Sequence, residues 1–118
     1  MPRNMSFMLT TEQARNKTKP VTRRLGWGFL RLGDIVQQVV KCQGLKKGEK
    51  VEKIHLIRIK STRWEPLTRM VTNPVYGYKE CALEGFPDLT PDEFVAMFCK
   101  ANKCRPDREV NRIEFEYL

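Results

Sequence analysis

The stretch Lys19-Pro20-Val21-Thr22-Arg23-Arg24 sets a lysine three residues ahead of a threonine and two arginines directly behind it. A lysine whose pKa is lowered by burial or by neighbouring cations can act as a base, and a threonine hydroxyl that gives it a proton becomes a nucleophile. Lys19 and Thr22 supply both parts. A carboxylate is still needed to orient or balance the amine. Glu80 and Glu84, four apart in "ECALEG", would share one face of a helix and are the candidates. Such a set can be assembled in many chains, and the plainer reading of a stretch this basic is a solvated edge.

Other chemistries are poorly provided for. His55 is the single histidine, so any Ser-His-Asp or Cys-His arrangement would depend on it, and no G-x-S-x-G or glycine-rich phosphate loop occurs. Cys99 and Cys104 have a C-x4-C spacing that zinc tolerates, but further ligands would have to come from distant Cys42, Cys81 or His55. Cys99, next to Phe98 on a helix, reads as a small core residue, and no metal is assigned.

The charge is uneven. Residues 1–75 carry 16 Lys and Arg against 5 Asp and Glu, whereas residues 76–118 carry 6 against 9, within a net charge of +8. One surface is therefore expected to meet an anionic partner, of which nucleic acid is the commonest. No stretch reaches the 18 or so apolar residues of a membrane span, and the start "MPRNMSFMLTTEQ" lacks the apolar core of a signal peptide. The expectation is a single domain over residues 1–118, in the cytoplasm, with reduced cysteines and no membrane association. Oligomeric state is left open.

The elements that must position these groups are short. "SFML" reads as a first strand, and "TTEQARN" as a helix with Thr10 as N-cap and Gln13 completing a capping box. Pro20 is expected to stop that helix and to send "VTRR" out as an extended segment, with Thr22 and Arg24 facing the same way. "DIVQQVVKC" and "VEKIHLIRIKSTR" pair as a hairpin around a basic loop, with His55, Ile57 and Ile59 on one face of the second strand. "WEPLTRMV" allows a turn or two of helix, and "YGYKECALEGFPDL" a short helix closed near Gly85. Thr90-Pro91-Asp92-Glu93 starts a further helix whose Phe94, Met97, Phe98 and Ala101 form a core stripe. "VNRIEFEYL" closes as a strand alternating Ile113, Phe115 and Tyr117 with Arg112, Glu114 and Glu116. Helices interrupt the strands rather than alternate with them, which favours an α+β fold or small mixed barrel.

In order, "KPVTRR", "LRLGDIV", "IHLIRIKS", "ECALEGFPDLTPDEFVAMF" and "VNRIEFEYL" resemble the ASCH domains, small β-barrels of the PUA-like superfamily. The resemblance implies a small PUA-like mixed β-barrel with short peripheral helices, and a module that binds RNA or a modified nucleobase or nucleoside in a basic pocket. Some small bacterial ASCH proteins are amidohydrolases that deacetylate N4-acetylcytidine with a lysine, a threonine and a glutamate, an arginine standing beside them. Carried over by motif, these fall on Lys19, Thr22, Glu84 and Arg24, with no cofactor. Pro20 departs from that pattern, as do the long segments "CQGLKKGEKVEK" and "TRWEPLTRMVTNPVYGY".

Three functions are therefore compatible with the residues. In a binding module, Lys19, Arg23, Arg24 and the loop lysines Lys46, Lys47 and Lys50 would contact phosphate and Trp27 or Trp64 would stack on a base. In an amidohydrolase, Lys19, Thr22 and Glu84 would act on an acylated base. The third possibility is a protein-interaction domain without either property.

Overall fold

The structure is a computed structural model that describes residues 2–41 and 45–118. Five strands form one mixed sheet in the order β1-β3-β4-β5-β2. They are β1 (Arg3–Ser6), β2 (Val21–Arg24), β3 (Ile35–Val39), β4 (Lys53–Pro66) and β5 (Glu109–Tyr117). β1 runs parallel to β3, and the remaining pairs are antiparallel. The sheet curves into a half-barrel, and β1 and β2 are its two edges. The helices are α1 (Thr11–Arg15), α2 (Arg69–Thr72), α3 (Pro74–Leu83) and α4 (Pro91–Asn102). This is a small α+β half-barrel with short peripheral helices, and among the described residues no helix is long and apolar enough to cross a membrane.

Two apolar clusters fill it. Met5, Phe7, Val36, Ile57, Ile59, Ile113 and Phe115 pack inside the curved sheet. Leu67, Met70, Cys81, Phe94, Val95, Phe98 and Val110 join α2, α3 and α4 to the end of β4 and the start of β5. The helical cluster depends on a close approach: a methyl group added at buried Gly77 would overlap the Met70 carbonyl oxygen.

The expected β3–β4 hairpin and the α4 start are present, the latter with a complete capping box between Thr90 and Glu93. Part of the hairpin loop, including Cys42, lies outside the described residues. Several local expectations are corrected. β1 ends at Ser6, and Met8–Thr10 form a 3-10 turn instead of extending a strand "SFML". The Thr10 side chain makes no cap hydrogen bond. Thr11 Oγ1 instead donates to the Phe7 carbonyl at 3.0 Å, bonding back into that turn. α1 stops at Arg15, well before Pro20, because Lys17 takes left-handed backbone (φ 59°). Ala101, assigned to the core stripe, is exposed. β5 is buried on both faces over its first half, where Asn111 and Arg112 are as enclosed as Val110 and Ile113.

Candidate functional site

Among the described residues β2 has one sheet partner, β5, paired Val21 to Glu114 and Thr22 to Ile113. The ladder continues past the strand, because Phe115 N–H donates to the Pro20 carbonyl at 2.9 Å and Tyr117 hydroxyl to the Lys19 carbonyl at 2.8 Å. Pro20 therefore sits on an edge, where its missing N–H costs the sheet nothing, and the Lys19 backbone is pinned from β5.

Glu84 is placed by the end of α3. Gly85 takes φ 96°, Phe86 N–H returns to the Cys81 carbonyl at 2.8 Å and Gly85 N–H to that of Ala82 at 3.0 Å. This doubly bonded glycine turn fixes the residue before it. Gln13 Nε2 on α1 donates to the Gly85 carbonyl at 3.3 Å and holds the turn against the half-barrel.

The two placements converge. Lys19 Nζ donates to Glu84 Oε1 at 2.7 Å and to the Glu84 carbonyl at 2.9 Å, with both side chains buried. Lys19 thus caps the C-terminus of α3 with a positive charge as well as pairing with its carboxylate. Burial lowers the Lys19 pKa below its ordinary value, outweighing the opposing pull of Glu84, and Arg24 and Arg23 push the same way as burial. Thr22, also buried, accepts a hydrogen bond from Arg24 Nε at 3.1 Å, so Thr22 and Arg24 do face the same way. The Arg24 guanidinium lies 4.8 Å from the centre of the Phe7 ring.

Lys19, Thr22, Arg23, Arg24 and Glu84 all line one cavity of about 260 Å³. Its other wall is apolar, made by Phe7, Met8 and Leu9 from the first turn and by Phe86, Phe94 and Phe98 from the helical side. Phe7 belongs to the cluster inside the sheet and Phe94 and Phe98 to the helical one, so both clusters contribute to the lining.

Arg23 is the residue whose placement departs most from expectation. It was assigned to phosphate contact, but its guanidinium is enclosed among three carboxylates: NH1 donates to Glu84 Oε2 at 2.9 Å, and NH2 to Glu80 Oε1 at 2.6 Å and Glu65 Oε2 at 3.2 Å. Burial opposes its charge, but Glu84 and Glu80 together raise its pKa, so it stays cationic. Arg112 grips Glu80 from the other side, with Nε at 2.5 Å and NH2 at 3.0 Å. The Tyr76 hydroxyl donates to Glu65 at 2.7 Å. Sequence reasoning missed Glu65 and Arg112, because alternation along a strand assigns charged positions to solvent, and Tyr76, because nothing local to α3 shows that its hydroxyl meets Glu65 on β4.

The remaining candidates lie elsewhere. Lys46 and Lys47 are exposed on the β3–β4 loop and line no part of the pocket. Trp27, at φ 64°, packs with Phe29 at 5.4 Å between ring centres. It lines a second, shallower depression with Arg3, Arg24 and Phe29, and Arg24 is common to both hollows. Trp64 is half exposed beside Gly28. His55 Nε2 lies 3.1 Å from the Arg15 carbonyl, and its ring packs edge-on against Tyr117 at 5.7 Å between centres; it does not line the pocket. Burial, with Glu84 adding to it, pushes the Cys81 thiol up to about 11. Among the described residues no group of three or more His, Cys, Asp or Glu could hold a metal ion.

No protein-family model matches the chain. No curated protein matches it significantly. Solved structures do. A hypothetical protein, PH0355, is similar over 100% of both chains, with a TM-score of 0.65 at 17% identity. Protein EF3133 of Enterococcus faecalis, from the DUF984 family, is similar over 100% of this chain and 76% of its own, with a TM-score of 0.62 at 14% identity. An ASCH domain from Lactobacillus crispatus is similar over 98% of this chain and 78% of its own, with a TM-score of 0.57 at 14% identity. At these identities the likeness is one of architecture, and the chain has the fold of an ASCH domain.

Proposed function

We propose that the pocket beside β2 binds a modified nucleobase or nucleoside. The observation that carries this is the convergence of Lys19, Thr22, Arg24 and Glu84 on one cavity of about 260 Å³. That volume is near the lower end for ligand sites, which suits a single base or nucleoside. The polar wall offers donors and an acceptor to a base edge, and the phenylalanine wall offers faces to its ring. A phosphate-led grip on an RNA strand is supported less well. Arg23 is committed to Glu65, Glu80 and Glu84, and Lys46 and Lys47 line no part of the pocket.

A second function, amide hydrolysis, is favoured by the lowered Lys19 pKa. Neutral Lys19 would take the Thr22 proton as Oγ1 attacks the acyl carbonyl carbon, with Arg24 facing the developing oxyanion. The Lys19 ammonium would then protonate the leaving amine, and water would release the acyl group from Thr22. Glu84 holds Lys19 throughout.

Calorimetric titration with N4-acetylcytidine and cytidine, with chromatography of the mixture afterwards, tests both. Saturable binding without turnover supports the first function, and release of cytidine supports the second. Absence of binding and turnover for both nucleosides, with retained affinity for single-stranded RNA that falls steeply with salt, would overturn the proposal.

A further inference from the structure

The sulfur atoms of Cys99 and Cys104 lie 4.0 Å apart, and the way α4 ends brings them together. Lys103 takes left-handed backbone (φ 53°), its N–H returns to the Cys99 carbonyl, and Cys104 N–H returns to the same carbonyl at 3.2 Å. A turn of this kind sets the second residue beyond the helix against the residue three before its cap. Those two residues are here Cys104 and Cys99. Both are free thiols, partly exposed at the margin of the helical cluster.

We propose that Cys99 and Cys104 form a reversible redox site that closes to an intramolecular disulfide on reaction with a small-molecule disulfide of the oxidised-glutathione class. The thiolate of one cysteine attacks the small disulfide, breaking its S–S bond, forming a mixed disulfide and releasing one small thiol. The second cysteine loses its proton to solvent and attacks the protein sulfur of that mixed disulfide, and the second small thiol leaves. Two protein thiols are oxidised and one small disulfide is reduced to two thiols. The sulfurs must close by about 2 Å to reach bonding distance, which side-chain rotation can supply. Burial and the hydrogen bond from Cys104 push the Cys99 thiol up. Uncatalysed exchange is therefore expected over minutes to hours rather than seconds. The turn that would be locked carries Phe98, Ala101 and Asn102, which line the pocket wall, so the redox state of the pair bears on that wall. The site is independent of what the pocket binds.

The test uses the full chain, incubated with oxidised glutathione, alkylated and digested with trypsin and a glutamate-specific endoproteinase, which together cut after Glu84, Glu93, Lys100 and Lys103 and so place Cys81, Cys99 and Cys104 in separate fragments. The expected product is a pair of fragments joined through Cys99 and Cys104, with two free thiols lost on titration and both regained with dithiothreitol. In Cys104→Ser, the reaction is expected to stop at a glutathione adduct on Cys99. A lasting glutathione adduct on either cysteine of the unaltered chain, or pairing of either with Cys42 or Cys81, overturns the proposal. So does survival of both thiols in a chain whose fold is intact by circular dichroism.

Discussion

Lys19 Nζ stands 2.7 Å from Glu84 Oε1 although 65 residues separate them, and the two buried side chains tie the edge strand of the sheet to the end of α3. Removing one partner of a buried pair leaves the other charge uncompensated, at a cost of about 3–5 kcal/mol. Glu84→Gln is therefore expected to lower stability in urea by an amount of that order at neutral pH. The sign with pH follows from Lys19, whose folded pKa lies below its ordinary 10.5. The folded state binds fewer protons than the unfolded one, so stability rises with pH through that interval. The variant lacks the one neighbour that pulls the lysine upward. Its deficit should narrow as pH is raised from neutrality toward 10.5, and a deficit that widens would refute the pairing.

Thr22 gives a sharper separation between binding and chemistry. Thr22→Ala removes the only atom assigned to nucleophilic attack, which is also an acceptor for Arg24 Nε, while leaving the phenylalanine wall in place. If the pocket hydrolyses N4-acetylcytidine, turnover in this variant should fall by at least ~10³-fold, with affinity changed only several-fold. Thr22→Ser should recover part of the rate. Equal turnover in Thr22→Ala, measured by cytidine release, would exclude the threonine as nucleophile.

Much of this site was legible before the fold. "VTRR" alternation put Thr22 and Arg24 on one side, which the 3.1 Å contact between them bears out. Thr90 and Glu93 announced the start of α4, and Gly85 the close of α3. These are local features, set by residues within one turn or one strand. The deeper ion network was legible only in part: Glu80 and Glu84 were candidates for the basic turn from their spacing, but nothing within a few residues of Arg23 says that it will be enclosed with Glu65, or of Arg112 that it will reach Glu80. The same blindness let Thr10 and Gln13 stand as a capping box, when a 3-10 turn upstream already gave α1 its entry. The parallel pairing of β1 with β3 was likewise beyond reach, since it joins strands with α1 and β2 between them.

That network should govern behaviour in acid. Burial pushes the Glu80 carboxyl up, but hydrogen bonds from Arg112 and the charge of Arg23 outweigh it and hold the pKa below its ordinary 4.5. Glu65 is held down in the same sense, burial being outweighed by Arg63, Tyr76 and Arg23. Carboxyls depressed on folding contribute stability above their unfolded pKa and lose it as pH falls through the folded value. Stability should thus decline from about pH 4.5 downward. Arg23→Met is expected to cost about 3–5 kcal/mol at neutral pH by stranding the carboxylates, and to flatten that acid limb. Denaturation midpoints measured across this range check both statements.

Gly77 offers a test of the helical scaffold from a position that does not itself line the pocket. Its added methyl would overlap the Met70 carbonyl oxygen and come within 2.7 Å of Pro91 Cγ, so α2, α3 and α4 must part to admit it. Gly77→Ala should destabilise the fold by about 1–3 kcal/mol, as overpacking does. α3 carries Glu80 and ends beside Glu84, so ligand affinity is expected to drop along with the unfolding midpoint.

The edge position of β2 also bears on how the protein comes into being. Among the described residues, 21–24 pair only with 109–117, so the wall bearing Lys19, Thr22 and Arg24 cannot be hydrogen-bonded until β5 has been made. Closing so distant a pair is slow compared with forming α3 or α4, which settle within their own neighbourhoods. A nascent chain interrupted before Glu109 would contain all four residues of the candidate site and no pocket to hold them, and ligand capture would serve as a readout of the last long-range step in folding.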